Sequence, residues 1–233
     1  MNAVHTVINS LTHLFFPQVC AGCGNDYINS QQLLCLQCME QLPLTNYQLY
    51  PNNPVEKIFY GRCDIVYASS HYYFTKNSIL QHLLHQFKYK GKQHIGLYFG
   101  QIMGRALKQS DRFHDIDAVV PLPLFATKEK KRGYNQAKVL CDGISSVMNI
   151  PVLKNAVNRV MATDTQTRKN RIERWENISG KFEVESKELL VDKHVLLVDD
   201  VVTTGATLDA CANELLKVEG LLVSIATLAF TMS

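Results

Sequence analysis

Two adjacent carboxylates, Asp199 and Asp200, and three hydroxyls shortly after them, Thr203, Thr204 and Thr207, form the densest chemistry in this 233-residue chain. The apolar run Val195 to Val198 before them predicts a short buried strand of the α/β kind, with both acids at its C-terminal end. Open α/β sheets bind ligands at that edge. Thr203, Thr204, Gly205, Ala206 and Thr207 then lead into a helix-period stretch, Leu208 to Val218. Gly205 permits a tight turn and close approach to an anion, and a helix N-terminus adds positive potential, so the loop suits a phosphate. The acids suit a different group. They repel a free phosphate but accept hydrogen bonds from sugar hydroxyls or face a bound cation. A phosphate beside a diol describes a ribose 5-phosphate. The plainer alternative is a buried strand followed by a capped helix, which needs neither paired acids nor three threonines.

A second constellation lies near the N-terminus. Cys20 and Cys23 form one CxxC pair and Cys35 and Cys38 another, with residues 24–34 between them. Each pair can turn two thiolates onto one ion, and together they complete a tetrahedral four-cysteine site, structural because protein fills every position. The predicted ion is Zn²⁺. A thioredoxin-like redox site needs one CxxC beside a βαβ unit, and paired disulfides are unexpected in the cytoplasm. Cys63, Cys141 and Cys211 are scattered and read as small buried hydrophobes.

Those groups need a framework. Hydrophobic content of 46% with 19% charged residues describes a globular chain, and a net charge of +3 neither demands nor excludes nucleic acid. No apolar run is long enough to span a membrane. The first twenty residues lack the basic start and cleavage site of a signal peptide, so a cytoplasmic location is expected. They read as an amphipathic helix, with Val4, Ile8, Leu11, Leu14 and Phe15 on one side, stopped at Pro17. From the cysteine knuckles to about Arg62, Asn, Gln, Pro and Tyr suggest a linker with little regular structure. The expected division is 1–62 for helix, zinc finger and linker, and 63–233 for the α/β domain.

Within that domain, Asp64 to Phe74 reads as a strand, Ser78 to Tyr89 and Ile95 to Lys108 as helices, and Val119–Val120 as a buried strand stopped by Pro121 and Pro123. Lys88 and Lys90 are read as lysines favouring a helix C-terminus. Lys128 to Gln136, KEKKRGYNQ, is either a solvated basic turn or, if its strand neighbours the one ending at Asp199, a place where Arg132 and Asn135 meet a pyrophosphate. A helix follows from Gln136 to Met148. The polar stretch Arg159 to Phe182 holds Arg168, Lys169, Arg171, Arg174 and the sole tryptophan, Trp175. It suits a flap closing on a leaving group, or equally a strip that tracks and stacks on single-stranded nucleic acid. Leu221 to Phe230 is the expected last strand.

Acid-acid followed two residues later by Thr-Thr-Gly-Ala-Thr resembles the 5-phosphoribosyl 1-pyrophosphate (PRPP) signature of type I phosphoribosyltransferases. Together with the F-P-x-x-C start, F-K-Y-K-G (Phe87 to Gly91), V-P-L-P-L with Pro121 and Pro123, R-G-Y-N-Q (Arg132 to Gln136), Gln166, Thr167, Arg174, Asn177 and Phe182, the chain resembles the competence protein F (ComF/GntX) family along nearly its whole length. The resemblance implies a type I phosphoribosyltransferase-like parallel sheet flanked by helices, with a small N-terminal four-cysteine zinc-binding domain. It implies a PRPP site at Asp199, Asp200, Thr203, Thr204, Gly205, Ala206 and Thr207 that uses Mg²⁺, with Arg132 and Arg174 as candidate catalytic residues facing pyrophosphate. It implies a role in natural transformation, handling incoming single-stranded DNA in the cytoplasm alongside a competence helicase or recombination proteins. The alternative is an enzyme transferring ribose 5-phosphate from PRPP to an unidentified acceptor in nucleotide metabolism. Purine-salvage members carry an acid where this chain has Thr203, a poor proton carrier at neutral pH, which argues against a purine base as acceptor.

Overall fold

The computed structural model describes residues 19–26, 28–29, 32–160 and 181–231. The expected helix over Val4 to Phe15 and the candidate Arg174, with Trp175 and the other flap arginines after Arg159, lie outside the described residues.

Four parallel strands make the central sheet: β1 (Ala68–Tyr73), β2 (Ala118–Pro121), β5 (His194–Val202) and β6 (Leu222–Phe230), in spatial order β1-β6-β5-β2. Their alternation divides the core into two layers. Val119, Leu196, Val198 and Leu228 pack under α3 (Ile79–Tyr89), α4 (Gln93–Lys108) and α6 (Gln136–Met148). Val120, Val195, Leu197, Val223 and Ile225 pack under α2 (Pro54–Phe59) and α7 (Ala206–Leu215), and the short α1 (Leu36–Glu40) carries Cys38. A parallel sheet covered on both faces explains why β2 and the first half of β5 read as unbroken apolar runs, while β1 buries Ser69, Ser70 and His71 instead. Each fully buried Val or Leu contributes about 1.5–3 kcal/mol of the stabilisation.

Local signals set the helices that flank the site. Ser78 caps α3 by accepting from the Gln81 N–H at 3.2 Å. Asn135 caps α6 by accepting from the Ala137 N–H at 2.9 Å, while its amide donates to the Leu122 carbonyl at 2.9 Å and fastens the helix to the chain leaving β2. Helices α4 and α6 touch backbone to backbone. A Cβ on Gly100 would lie 2.3 Å from the Leu140 oxygen, and one on Gly143 would lie 2.5 Å from the Leu97 oxygen.

Four expectations change. The segment read as a linker joins the α/β core. Leu44 bridges Tyr72 in antiparallel fashion, the Thr45 N–H donates to the His71 oxygen at 3.1 Å, a 3-10 turn follows at Tyr47–Leu49, and Val55 and Phe59 of α2 are fully buried. The Pro and Asn that suggested a loop are helix-start chemistry: Asn53 caps and Pro54 occupies the first turn. Secondly, the basic run is not a turn. It is a helix, α5 (Ala126–Arg132), with Lys130, Lys131 and Arg132 in its last turn before Gly133. Thirdly, β5 runs past the acids expected at its C-terminal end and continues to Val202, with Asp199 in register with Thr227. The strand expected from Asp64 begins only at Ala68. After α6 an antiparallel pair forms from β3 (Val157–Val160) and β4 (Lys181–Val184).

Candidate active site and metal centre

Strand β5 presents Asp199 and Asp200 to opposite sides of its backbone, and the two groups have different surroundings. Asp200 is buried, and Lys88 from the end of α3 places its ammonium 2.9 Å from each of its carboxylate oxygens. Asp199 accepts the Asp200 backbone N–H at 2.7 Å. Burial and the neighbouring Asp200 charge push the Asp199 carboxyl up to about 7, although that N–H, Lys88 and Arg159 oppose the rise. Arg159, on β3, lies with its guanidinium 3.7 Å from the Phe125 ring centroid and 5.2 Å from that of Phe182.

Beyond the strand, Thr203 and Thr204 are exposed and Gly205 turns the chain at φ 72° into α7, whose N-terminus has no side-chain cap. The loop is held from behind. Arg62 donates to the Thr204 carbonyl at 2.9 Å and the Ile58 carbonyl at 3.2 Å, and pairs with Asp209 at 3.0 Å. Gly205 is pressed so closely on α2 that a Cβ there would lie 2.5 Å from Ile58 Cγ2. The first-turn amides of α7 and the three threonine hydroxyls are thus presented on a fixed backbone, an arrangement that can take an anion.

Arg132 guanidinium stands 5.6 Å from the Tyr89 centroid and donates to Gln136 Oε1 at 2.7 Å. The Tyr134 hydroxyl donates to the Phe87 carbonyl, and the two rings lie 5.7 Å apart. The F-K-Y-K-G and R-G-Y-N-Q segments therefore interlock, and Lys88 comes to the acids with them. Sequence reasoning missed Lys88 as a site residue because a lysine in the last turn of a helix is ordinary and its partner is 112 positions away. Beside this group a cleft of about 390 Å³ runs between the end of β2 and the β3–β4 pair, lined by Pro121, Pro123, Asn135, Lys138 and Arg159 among others.

The four cysteines predicted to share an ion do come together: the Cys20, Cys23, Cys35 and Cys38 sulfurs all lie within 4.8 Å of one another. Burial disfavours the Cys20 thiolate, but hydrogen bonds from the Cys35, Cys23 and Gly22 backbone outweigh it and bring the group down to about 6. Burial and the neighbouring sulfurs raise Cys38. Such a soft, compact four-sulfur set fits a structural zinc ion. The knuckle seats on α3, where Gln86 donates to the Ala21 carbonyl at 2.8 Å and Leu34 and Leu42 join the core with Leu80 and Leu83. Cys141 and Cys211 are fully buried, as expected of small hydrophobes, and Cys63 is half-buried. Among the described residues no helix is long and apolar enough to cross a membrane.

Against known proteins, the phosphoribosyl transferase domain model matches residues 105–233, the stretch that contains β5 and its loop. Competence protein F of Haemophilus influenzae is 29% identical over 218 residues, covering 87% of this chain and 93% of that protein. The DNA utilization protein YhgH of Escherichia coli is 30% identical over 141 residues, with 59% of this chain and 61% of that one aligned. Among solved structures, the glutamine PRPP amidotransferase from B. subtilis superposes on 61% of this chain and 30% of its own with a TM-score of 0.42 and 12% identity. The resemblance to competence protein F read from the motifs is borne out over most of the chain, and with more than half of its length matched by the domain model, this chain belongs to the phosphoribosyl transferase domain family.

Proposed function

We propose that the chain binds PRPP and acts in the handling of incoming single-stranded DNA during natural transformation, in the cytoplasm. The observation that carries the PRPP half is the juxtaposition of a paired-acid strand end with an uncapped, back-braced helix N-terminus, Thr203 to Thr207. Asp199 and Asp200 take the ribose hydroxyls, and the loop takes the 5-phosphate. The hard carboxylate oxygens fit Mg²⁺, and Asp199 and Asp200 would hold it. Bound there, the ion would neutralise charge on the pyrophosphate. Arg132, and Arg174 on the flap, face the pyrophosphate in this reading. The competence half is supported by likeness to competence protein F and to a DNA utilization protein. In this reading the knuckle, as a zinc module, and the basic residues between Arg159 and Phe182 bind single strands or a helicase or recombination partner.

A second reading, transfer of ribose 5-phosphate to an acceptor, is favoured by the cleft between the end of β2 and the β3–β4 pair, which leaves room for one next to Arg159. Catalysis would then come from positioning and from charge stabilisation as pyrophosphate leaves a cation-like sugar carbon. Titration calorimetry with PRPP and Mg²⁺, with ribose 5-phosphate and AMP as controls, tests the shared core. Micromolar PRPP binding lost in Asp199→Asn/Asp200→Asn is expected. Unchanged affinity in that variant removes the ribose assignment. For the DNA half, anisotropy of a labelled oligothymidine should show affinity falling steeply with salt. Absence of binding at low salt would overturn it.

A further inference from the structure

The Lys88–Asp200 pair has a consequence for how metal and PRPP enter, and the inference rests on the proposed PRPP site. Three of the four carboxylate oxygens at the strand end are already engaged. Both Asp200 oxygens face the Lys88 ammonium at 2.9 Å, and Asp199 Oδ1 accepts a backbone N–H. The pair is sheltered, with side-chain exposures of 19% for Lys88 and 10% for Asp200. A divalent cation arriving alone meets a positive charge occupying its own ligand, and expelling an ammonium from a sheltered pair is costly. A cation arriving with a pyrophosphate brings an anion richer in charge than Asp200, to which the ammonium can turn. The base of Lys88 does not need to move for that. Phe87 is fully buried and receives Tyr134 at its carbonyl, Gln86 is tied to the knuckle, and the four-carbon stem supplies the reach.

We propose that Lys88 is the resident counter-cation of this site: it guards Asp200 against free divalent metal and passes to the pyrophosphate when PRPP enters, so that metal and PRPP bind in concert. Lys88 is in this sense a binding residue for the pyrophosphate and a gate for the metal.

The test uses the full chain and its Lys88→Met and Lys88→Arg variants, with zinc content and circular dichroism as folding checks. Mn²⁺ titration followed by electron paramagnetic resonance, without PRPP, should show weak binding in wild type and binding roughly tenfold tighter in Lys88→Met, the scale of a moderate coupling between sites. Adding Asp200→Asn to Lys88→Met should abolish the gain, assigning it to this site. Calorimetry with PRPP at saturating Mg²⁺ should show Lys88→Met about 10–100-fold weaker, the worth of a charged hydrogen bond, with Lys88→Arg closer to wild type. Mn²⁺ affinity unchanged or weakened in Lys88→Met overturns the gate. PRPP affinity unchanged in Lys88→Met, with wild type binding normally, overturns the handover alone. Wild type that binds no PRPP overturns the proposed function and the handover together.

Discussion

Replacing Gly205 with alanine tests whether the proposed phosphate loop is held in shape by its contact with α2. The residue turns at φ 72°, where an L side chain costs about 1 kcal/mol. The new Cβ would lie 2.5 Å from Ile58 Cγ2 and 3.2 and 3.3 Å from two Phe59 ring carbons. Phe59 is fully buried and cannot retreat, so the loop or Ile58 must shift, and such overpacking costs about 1–3 kcal/mol. The sum is about 2–4 kcal/mol, which for a chain of this size lowers the melting temperature by about 5–15 °C. PRPP affinity should fall as well, because the threonines ride on the displaced backbone. The diagnostic step is the double variant Ile58→Ala/Gly205→Ala. It relieves the collision but not the dihedral strain, so a double-mutant cycle should return about 1–3 kcal/mol of favourable coupling. Strictly additive effects, or a Gly205→Ala protein that melts and binds PRPP like wild type, would refute the account.

Three further outcomes follow from the site geometry. Metal analysis of protein purified without chelator should give one zinc per chain, lost on Cys20→Ser; a metal-free preparation under reducing conditions would overturn the knuckle. Asp199 titrates at about 7 in the folded chain against an ordinary 3.8, so its contribution to stability is fully present below about pH 4 and is lost as pH rises through 7. Urea midpoints of Asp199→Asn should therefore be flatter than those of wild type between pH 5 and 8. Over the same interval PRPP–Mg²⁺ binding should tighten with rising pH, since the ion requires the carboxylate; a flat binding profile would contradict that assignment.

What could be read in advance followed from local rules. The apolar run before Asp199, the glycine turn and the helix after it are each set by neighbours within a few positions, and so are the two CxxC knuckles. The linker reading fails because Asn53 and Pro54 signal a helix start as readily as a loop, and only burial of Val55 and Phe59 against the sheet decides between them. The basic run folded as α5 because helix-forming Lys and Glu residues fill it and Gly133 closes it. The Lys88–Asp200 pair, the bracing of Thr204 by Arg62 and the stacking of Arg159 on Phe125 and Phe182 could not be read at all. Each joins elements brought together only by the order of strands in the sheet.

The contact between α4 and α6 sets a limit on how this molecule can vary. Where side chains fill an interface, a change on one helix can be absorbed by a complementary change on the other. At Gly100 and Gly143 carbonyl and α-carbon face each other directly, with no side chain in between to trade. Any added carbon must push the helices apart as rigid bodies, and α6 would carry Asn135 and Gln136 with it, away from the strand ends. The seam is therefore a fixed reference plane for the molecule. A substitution at either glycine disturbs not only the seam but the motifs hung from α6.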